Sequence, residues 1–167
     1  MKIVTAPEAV ALIPDGAAVA GIGFGMIQTP EHLLRALEQR FLDTGHPRDI
    51  SYMHSAGQSD LQGGGVDHLA HDGLLKRDIG GHFRMALGLG RMILEDRVEA
   101  YNFPQGVIAL LYREIAAKRP GLITHAGLGT FVDPRLEGGK MTPRTTEELV
   151  QVVEVGGREW LFYPALP

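Results

Sequence analysis

Two short stretches carry residue types suited to holding a group that develops negative charge. The first is Gly21-Ile22-Gly23-Phe24-Gly25, running on to Thr29. Glycine lets backbone take positive φ or approach a ligand closely. A glycine-rich turn from strand to helix aims N–H groups at an anion, and the helix N-terminus adds a favourable dipole. The spacing matches neither a dinucleotide fingerprint nor a P-loop, since no Gly-Lys-Ser/Thr follows. Taken alone, the stretch is equally a tight strand-to-helix turn. The second stretch is Tyr101-Asn102-Phe103-Pro104-Gln105-Gly106. Its two amides, Asn102 and Gln105, could donate to an oxyanion. The competing reading has Asn102 capping a helix that Pro104 opens, with Gln105 solvated in the first turn.

A third group is His54, His68, His71 and His82, with Asp60, Asp67 and Asp72 nearby. His68 and His71 could share a helical face. No H-E-x-x-H or comparable ligand spacing accompanies them, so surface or structural histidines are expected and a metal is not. No Gly-x-Ser-x-Gly elbow is present. The chain has no cysteine, which excludes thiol catalysis, disulfides and cysteine-based zinc sites. Glu31, Glu99 and Glu137 are candidate bases by position only. The chain therefore offers binding loops without an evident nucleophile.

The elements that must position these loops can be read from period and punctuation. Thr5-Ala6-Pro7-Glu8 is a capping box opening a helix to about Ile13, broken at Pro14-Asp15-Gly16. Residues 17–20 predict a short buried strand ahead of the glycine loop. Thr29 as N-cap and Pro30 at the first position start a helix with Leu33, Leu34, Leu37 and Phe41 on its apolar stripe, stopped at Gly45. Strands are expected at 50–54, 75–79, 98–103 and 122–124, with 55–65 and 126–146 as loop. Short helices are expected at 66–72 and 84–95, the latter weakened by Gly88 and Gly90. The helix from Pro104 carries Val107, Ile108, Leu111 and Ile115 and ends before Pro120. Residues 150–155 and 159–163 read as a hairpin across Gly156-Gly157. Strands alternating with helices predict an α/β fold, an open, mostly parallel sheet with flanking helices. Ligands of such sheets sit beyond the carboxyl ends of the strands, where both loops above would lie. The apolar run Trp160 to Pro167 is either a terminal edge strand guarded by Pro164 and Pro167, or a segment that continues or packs against something else.

Composition bounds the rest. The chain has 167 residues, 44% hydrophobic and 22% charged, with formal net charge −4. These values fit one soluble globular domain, expected to span 1–167. A mildly acidic chain is a poor candidate for nucleic-acid or anionic-membrane binding. No apolar run reaches the ~20 residues that span a bilayer, and a cytoplasmic location is the expectation. Glycine supplies 22 residues, about twice the usual ~7% share, in short clusters rather than one tract.

The motifs, taken in order, resemble the N-terminal (alpha) part of family I coenzyme A transferases. The similarity is greatest to the acetate/propionate and short-chain acyl-CoA:acetoacetate type. The resemblance covers essentially the whole chain. It runs from Thr5-Ala6-Pro7-Glu8 and Asp15-Gly16…Gly23-Phe24…Pro30-Glu31 through His68 to Arg77 and Ile79-Gly80-Gly81-His82. It continues through Glu99 to Gly106, Gly127 to Arg135 and Gly138-Gly139-Lys140. It implies a coenzyme-A-transferase-like fold and a ping-pong transfer of CoA between carboxylic acids. A glutamate attacks the acyl-CoA, passes through an anhydride and becomes a glutamyl-CoA thioester, which a second acid resolves. Carried over by motif, Gln105 is the glutamine whose amide helps form the oxyanion hole. Gly23, Phe24 and Gly25 lie beside the acyl pocket, and Asn102, Phe103 and Gly106 shape it. Ile22 and Gln28 stand where many relatives have glycine. The family glutamate belongs to a C-terminal (beta) half whose motif is absent here. The resemblance thus implies an incomplete domain, inactive alone, with that half as partner and a homo- or hetero-oligomer as the assembly. Acyl-CoA and short-chain carboxylates would be substrates, with CoA as substrate and no tightly bound cofactor. An ester hydrolase or ring-opening enzyme on the same fold, and a non-catalytic partner domain, are the alternatives.

Overall fold

A computed structural model describes residues 3–166. Four strands, β1 (Ala18–Gly21), β2 (Ile50–His54), β3 (Leu75–Gly80) and β4 (Glu99–Asn102), form a parallel sheet in that order. Three more, β5 (Gly121–Thr124), β6 (Gln151–Val155) and β7 (Arg158–Pro164), form an antiparallel sheet ordered β5-β7-β6. Helices α1 (Ala6–Val10), α2 (Glu31–Thr44), α3 (Leu87–Leu94) and α4 (Gln105–Ala116) pack around them, with a 3₁₀ segment at Gly65–Leu69. The expected α/β class with an open parallel sheet and flanking helices is what the chain forms.

Strand alternation divides the interior into two cores. On one face Tyr52 and Ala100 meet Leu34 and Leu37 of α2, Leu69, and Leu89 and Met92 of α3. On the other, Met53, Ile79 and Tyr101 meet Val107, Ile108 and Leu111 of α4 and Leu161 and Tyr163 of β7. The parallel sheet is thus the middle layer between helices and an α4–antiparallel-sheet layer. The outer edge of β4 is covered by the returning loop: Met141 N–H donates to Ala100 O (2.9 Å), and Ala100 N–H donates to Thr145 Oγ1 (2.8 Å). Covering an edge in this way blocks unwanted strand pairing.

Several boundaries differ from the sequence reading. The capping box at Thr5 and Glu8 is present, but α1 stops at Val10 rather than Ile13. Thr29 does not cap α2. Pro30 occupies that position without a side-chain cap, and the Thr29 hydroxyl donates instead to Gly25 O at 2.7 Å. Leu33 is exposed, so the buried stripe of α2 is Leu34 and Leu37, with Phe41 half-buried. Gly45 ends α2 at φ 72°, as expected. β1 is not a buried strand; it lies at the sheet edge with Ala18 and Ala20 exposed. α3 begins at Leu87 rather than Arg84. Asn102 does not cap α4, whose N-cap is Pro104; its amide donates to Gly80 O at 2.9 Å. β6 and β7 form the expected hairpin, with Gly156 and Gly157 both at positive φ (63° and 72°). That pair of angles is a two-residue turn only glycine-type positions accept readily. β7 is not an edge strand. It is the centre of its sheet, hydrogen-bonded to β5 and β6, which explains its apolar composition. Pro167 lies outside the described residues.

Candidate functional site

The parallel strands end in register. Gly21 pairs with His54, His54 with Gly80, and Gly80 with Asn102, so the four last residues form one row across the sheet. Three spacings of ~4.8 Å put the two ends of that row about 14 Å apart. Every loop leaving the row starts at the same edge, where ligands of open α/β sheets bind.

Hydrogen bonds and close packing stitch these loops together. In the glycine loop, Phe24 and Ile27 bond each other through both backbone pairs at 2.9 Å, making a small rigid tongue. Gly25 N–H donates to Gly57 O at 2.7 Å, joining the tongue to the loop after β2. A Cβ at Gly23 would lie 2.4 Å from Thr29 Oγ1, so the turn closes only with glycine there. A Cβ at Gly57 would lie 2.7 Å from the His82 ring, and one at Gly81 would lie 2.1 Å from Ser55 O and 2.4 Å from Gln105 Cγ. The loop after β3 is therefore wedged between the loop after β2 and the start of α4.

α4 closes the circuit. Gln105 opens it, exposed, at a helix N-terminus that carries no side-chain cap. Seven residues on, about 10 Å along the same helix face, Tyr112 donates to Gly21 O at 3.0 Å. Burial pushes the Tyr112 phenol up to about 12, which keeps it a donor. The helix that presents Gln105 is thus tied to the last residue of β1, where the glycine loop begins.

Gly23, Phe24, Gly25, Asn102, Gln105 and Gly106 are all brought to this edge. Phe24 is exposed at the tongue tip, and Gly106 has open space beside it. Phe103 reaches the edge only by its backbone; its ring is 1% exposed and packs between Tyr101 and Tyr163, beneath the edge. Of the candidate bases, Glu31 accepts from Gly65 N–H at 2.7 Å and meets His68, and Glu99 pairs with Arg77. Both are committed to ion pairs. An apolar groove of about 430 Å³ lies elsewhere, on the sheet face, lined by Ala18, Ala20, Met53, Ile79, Ile115 and Leu166.

The histidines divide by environment. His68 lies between Glu31 (2.8 Å) and Glu38 (2.5 Å), and His71 meets Glu38 at 2.7 Å, bracing the 3₁₀ segment on α2. Desolvation opposes the His68 cation, but the bonds to Glu31 and Glu38 outweigh it and hold its pKa above the usual value. No group of three or more His, Asp or Glu that could hold a metal occurs among the described residues. No helix among them is long and apolar enough to cross a membrane. Sequence reasoning missed Ser55, Gly57, Gly81 and Tyr112 as parts of the edge. The signal available was that each parallel strand's carboxyl end must lie there; Tyr112 had none.

Comparison with known proteins bears on this edge. The family model described as coenzyme A transferase matches residues 3–167. The chain is 44% identical over 162 residues to caffeate CoA-transferase of Acetobacterium woodii, covering 97% of this chain and 31% of that protein. It is 37% identical to acetate CoA-transferase YdiF of Escherichia coli K12, covering 99% of this chain and 32% of that protein. The crystal structure of the E. coli O157:H7 acyl-CoA transferase YdiF as a thioester complex with CoA superposes with TM-score 0.92 at 36% identity. That match covers 98% of this chain and 34% of YdiF. The chain spans about a third of the length of these relatives.

Proposed function

The chain belongs to the coenzyme A transferase family, and on that premise we propose that it supplies the acyl-binding and oxyanion-stabilising edge of a short-chain acyl-CoA transferase. The carboxylate nucleophile lies in the partner half or subunit, outside these residues. That carboxylate attacks the thioester carbonyl of an acyl-CoA, and the tetrahedral intermediate expels CoA thiolate to leave an acyl–glutamyl anhydride. The thiolate then attacks the glutamyl carbonyl and releases the first acid as carboxylate. A second carboxylate reverses the sequence and leaves with CoA. Each addition places negative charge on a carbonyl oxygen, so donors fixed in advance lower every barrier. Gln105 offers its amide N–H from the uncapped start of α4, where the helix dipole favours an anion. Gly23, Phe24 and Gly25 flank the acyl group, and Asn102 anchors the backbone beneath by its bond to Gly80 O.

The observation that supports this reading is the single in-register row Gly21–His54–Gly80–Asn102, which sets the glycine loop and the Gln105 helix on one edge. The coverage of only a third of each relative supports a catalytic contribution from the remainder. The experiment mixes acetyl-CoA with propionate or acetoacetate and the complete transferase, wild type and Gln105→Ala. Removal of one oxyanion donor should lower kcat by about 10²–10³. Turnover unchanged in Gln105→Ala refutes the assignment. Free CoA without a new thioester would instead identify a hydrolase.

A further inference from the structure

Below the proposed thioester edge lies an ion pair that the chemistry above does not use. His54, the last residue of β2, and Asp78 of β3 are both fully buried. His54 Nε2 faces Asp78 Oδ1 at 3.0 Å, and Nδ1 faces Ala56 O at 2.7 Å. A carbonyl oxygen can only accept, so Nδ1 carries a proton. Desolvation opposes a second proton on the ring, but the facing Asp78 charge and hydrogen bond favour one on Nε2. With both nitrogens protonated, the ring donates on each side, to Ala56 O and to Asp78 Oδ1. Its room is reserved: a Cβ at Gly80 would lie 2.6 Å from Nε2, and Phe83 stands edge-on at 5.6 Å between ring centroids. The ionisable neighbours are Tyr112, whose phenol the Asp78 charge also helps to raise, and Tyr52, whose hydroxyl donates to Gln58 Oε1 at 2.8 Å. Burial, with the Asp78 charge adding, pushes the Tyr52 phenol up, so it stays neutral.

We propose that His54 and Asp78 are positioning residues for Gln105. The His54 ring ties the loop after β2, through Ala56 O, to β3, through Asp78. The His54 carbonyl accepts from Gly81 N–H at 3.2 Å. Gly81 in turn fills the narrow gap between Ser55 O and Gln105 Cγ. A buried strut at the end of β2 thereby sets both loops against the side chain that would donate to the oxyanion. Desolvation works against the cation, yet the facing Asp78 charge and hydrogen bond raise the His54 pKa, consistent with this geometry. The proposal rests on the reading of Gln105 given above.

The test uses the complete transferase in a double-mutant cycle of Asp78→Asn and Gln105→Ala, with kcat and KM measured for each variant. Asp78→Asn keeps the shape of the side chain and removes its charge. It should lower kcat by up to about 10²-fold, the effect of displacing a catalytic group by ~1 Å, with KM for acyl-CoA changed far less. If the strut acts through Gln105, Asp78→Asn should cost little further rate once Gln105 is alanine. Losses that simply multiply would overturn the proposal while leaving Gln105 as the donor. No loss in Gln105→Ala would overturn the underlying function instead. Nitrogen-15 spectra of histidine-labelled wild type give a readout that needs no variant to fold. At pH 6.5, the ordinary imidazole value, both His54 nitrogens should be mostly protonated, and a mostly neutral ring would overturn the strut.

Discussion

Gly81→Ala probes the central geometry of the edge. The new Cβ would stand 2.1 Å from Ser55 O and 2.4 Å from Gln105 Cγ. Ordinary contact begins near 3.4 Å, so the backbone clash alone is short by more than 1 Å. Ser55 O is main chain and cannot swing aside like a side-chain tip. Relief must come from moving the loop after β3 or the start of α4, and either displaces the Gln105 amide by about 1 Å. A displacement of that size costs about 10² in rate, and overpacking of this kind costs about 1–3 kcal/mol in stability. With specific unfolding parameters for a domain of this length, that loss lowers Tm by roughly 2–12 °C. Steady-state CoA transfer by the complete enzyme and a thermal melt of the same preparation measure both. A Gly81→Ala enzyme with kcat within about twofold of wild type and an unchanged melt would refute the wedge, and with it the coupling of the loop after β3 to Gln105.

Two further outcomes test the framework away from the edge. Gly90 lies within α3, and a Cβ added there would meet nothing within 4 Å, so Gly90→Ala should stabilise the protein by roughly 0.5–1 kcal/mol, read as a higher Tm. His68 has a raised pKa for the reason given above, and Glu31 a lowered one because, against desolvation, it accepts from His68 and from Gly65 N–H. The His68 contribution is therefore complete below about pH 6.5 and lost as pH rises through its folded pKa. The Glu31 contribution is complete above about pH 4.5 and lost as pH falls. Stability relative to His68→Gln should be greatest between those limits and shrink as pH rises through the folded His68 pKa, as measured by paired melts; a difference that never shrinks with rising pH contradicts the bridge.

What the linear sequence determined here is what neighbours along the chain can decide. Capping at Thr5, the stop at Gly45, the turn at Gly156-Gly157 and the strand at 50–54 depend on local dihedral preference and side-chain period and are where those signals put them, and the strand expected at 75–79 runs one residue further, to Gly80. The glycine loop and the 101–106 stretch were also legible as strand-to-helix connections, because residue type and local order sufficed. Tertiary structure decided the rest through partners distant in sequence. Thr29 gives its hydroxyl to Gly25 O instead of capping α2, since the loop's closure competes for it. Asn102 bonds Gly80 O rather than α4, because β3 lies alongside. β7 is central rather than terminal because β5, some forty residues earlier, returns to pair with it. The edge itself, and the His54–Asp78 pair beneath it, exist only because parallel pairing places residues 21, 54, 80 and 102 in one row. That register is set by packing on both faces of the sheet, a property no single segment contains.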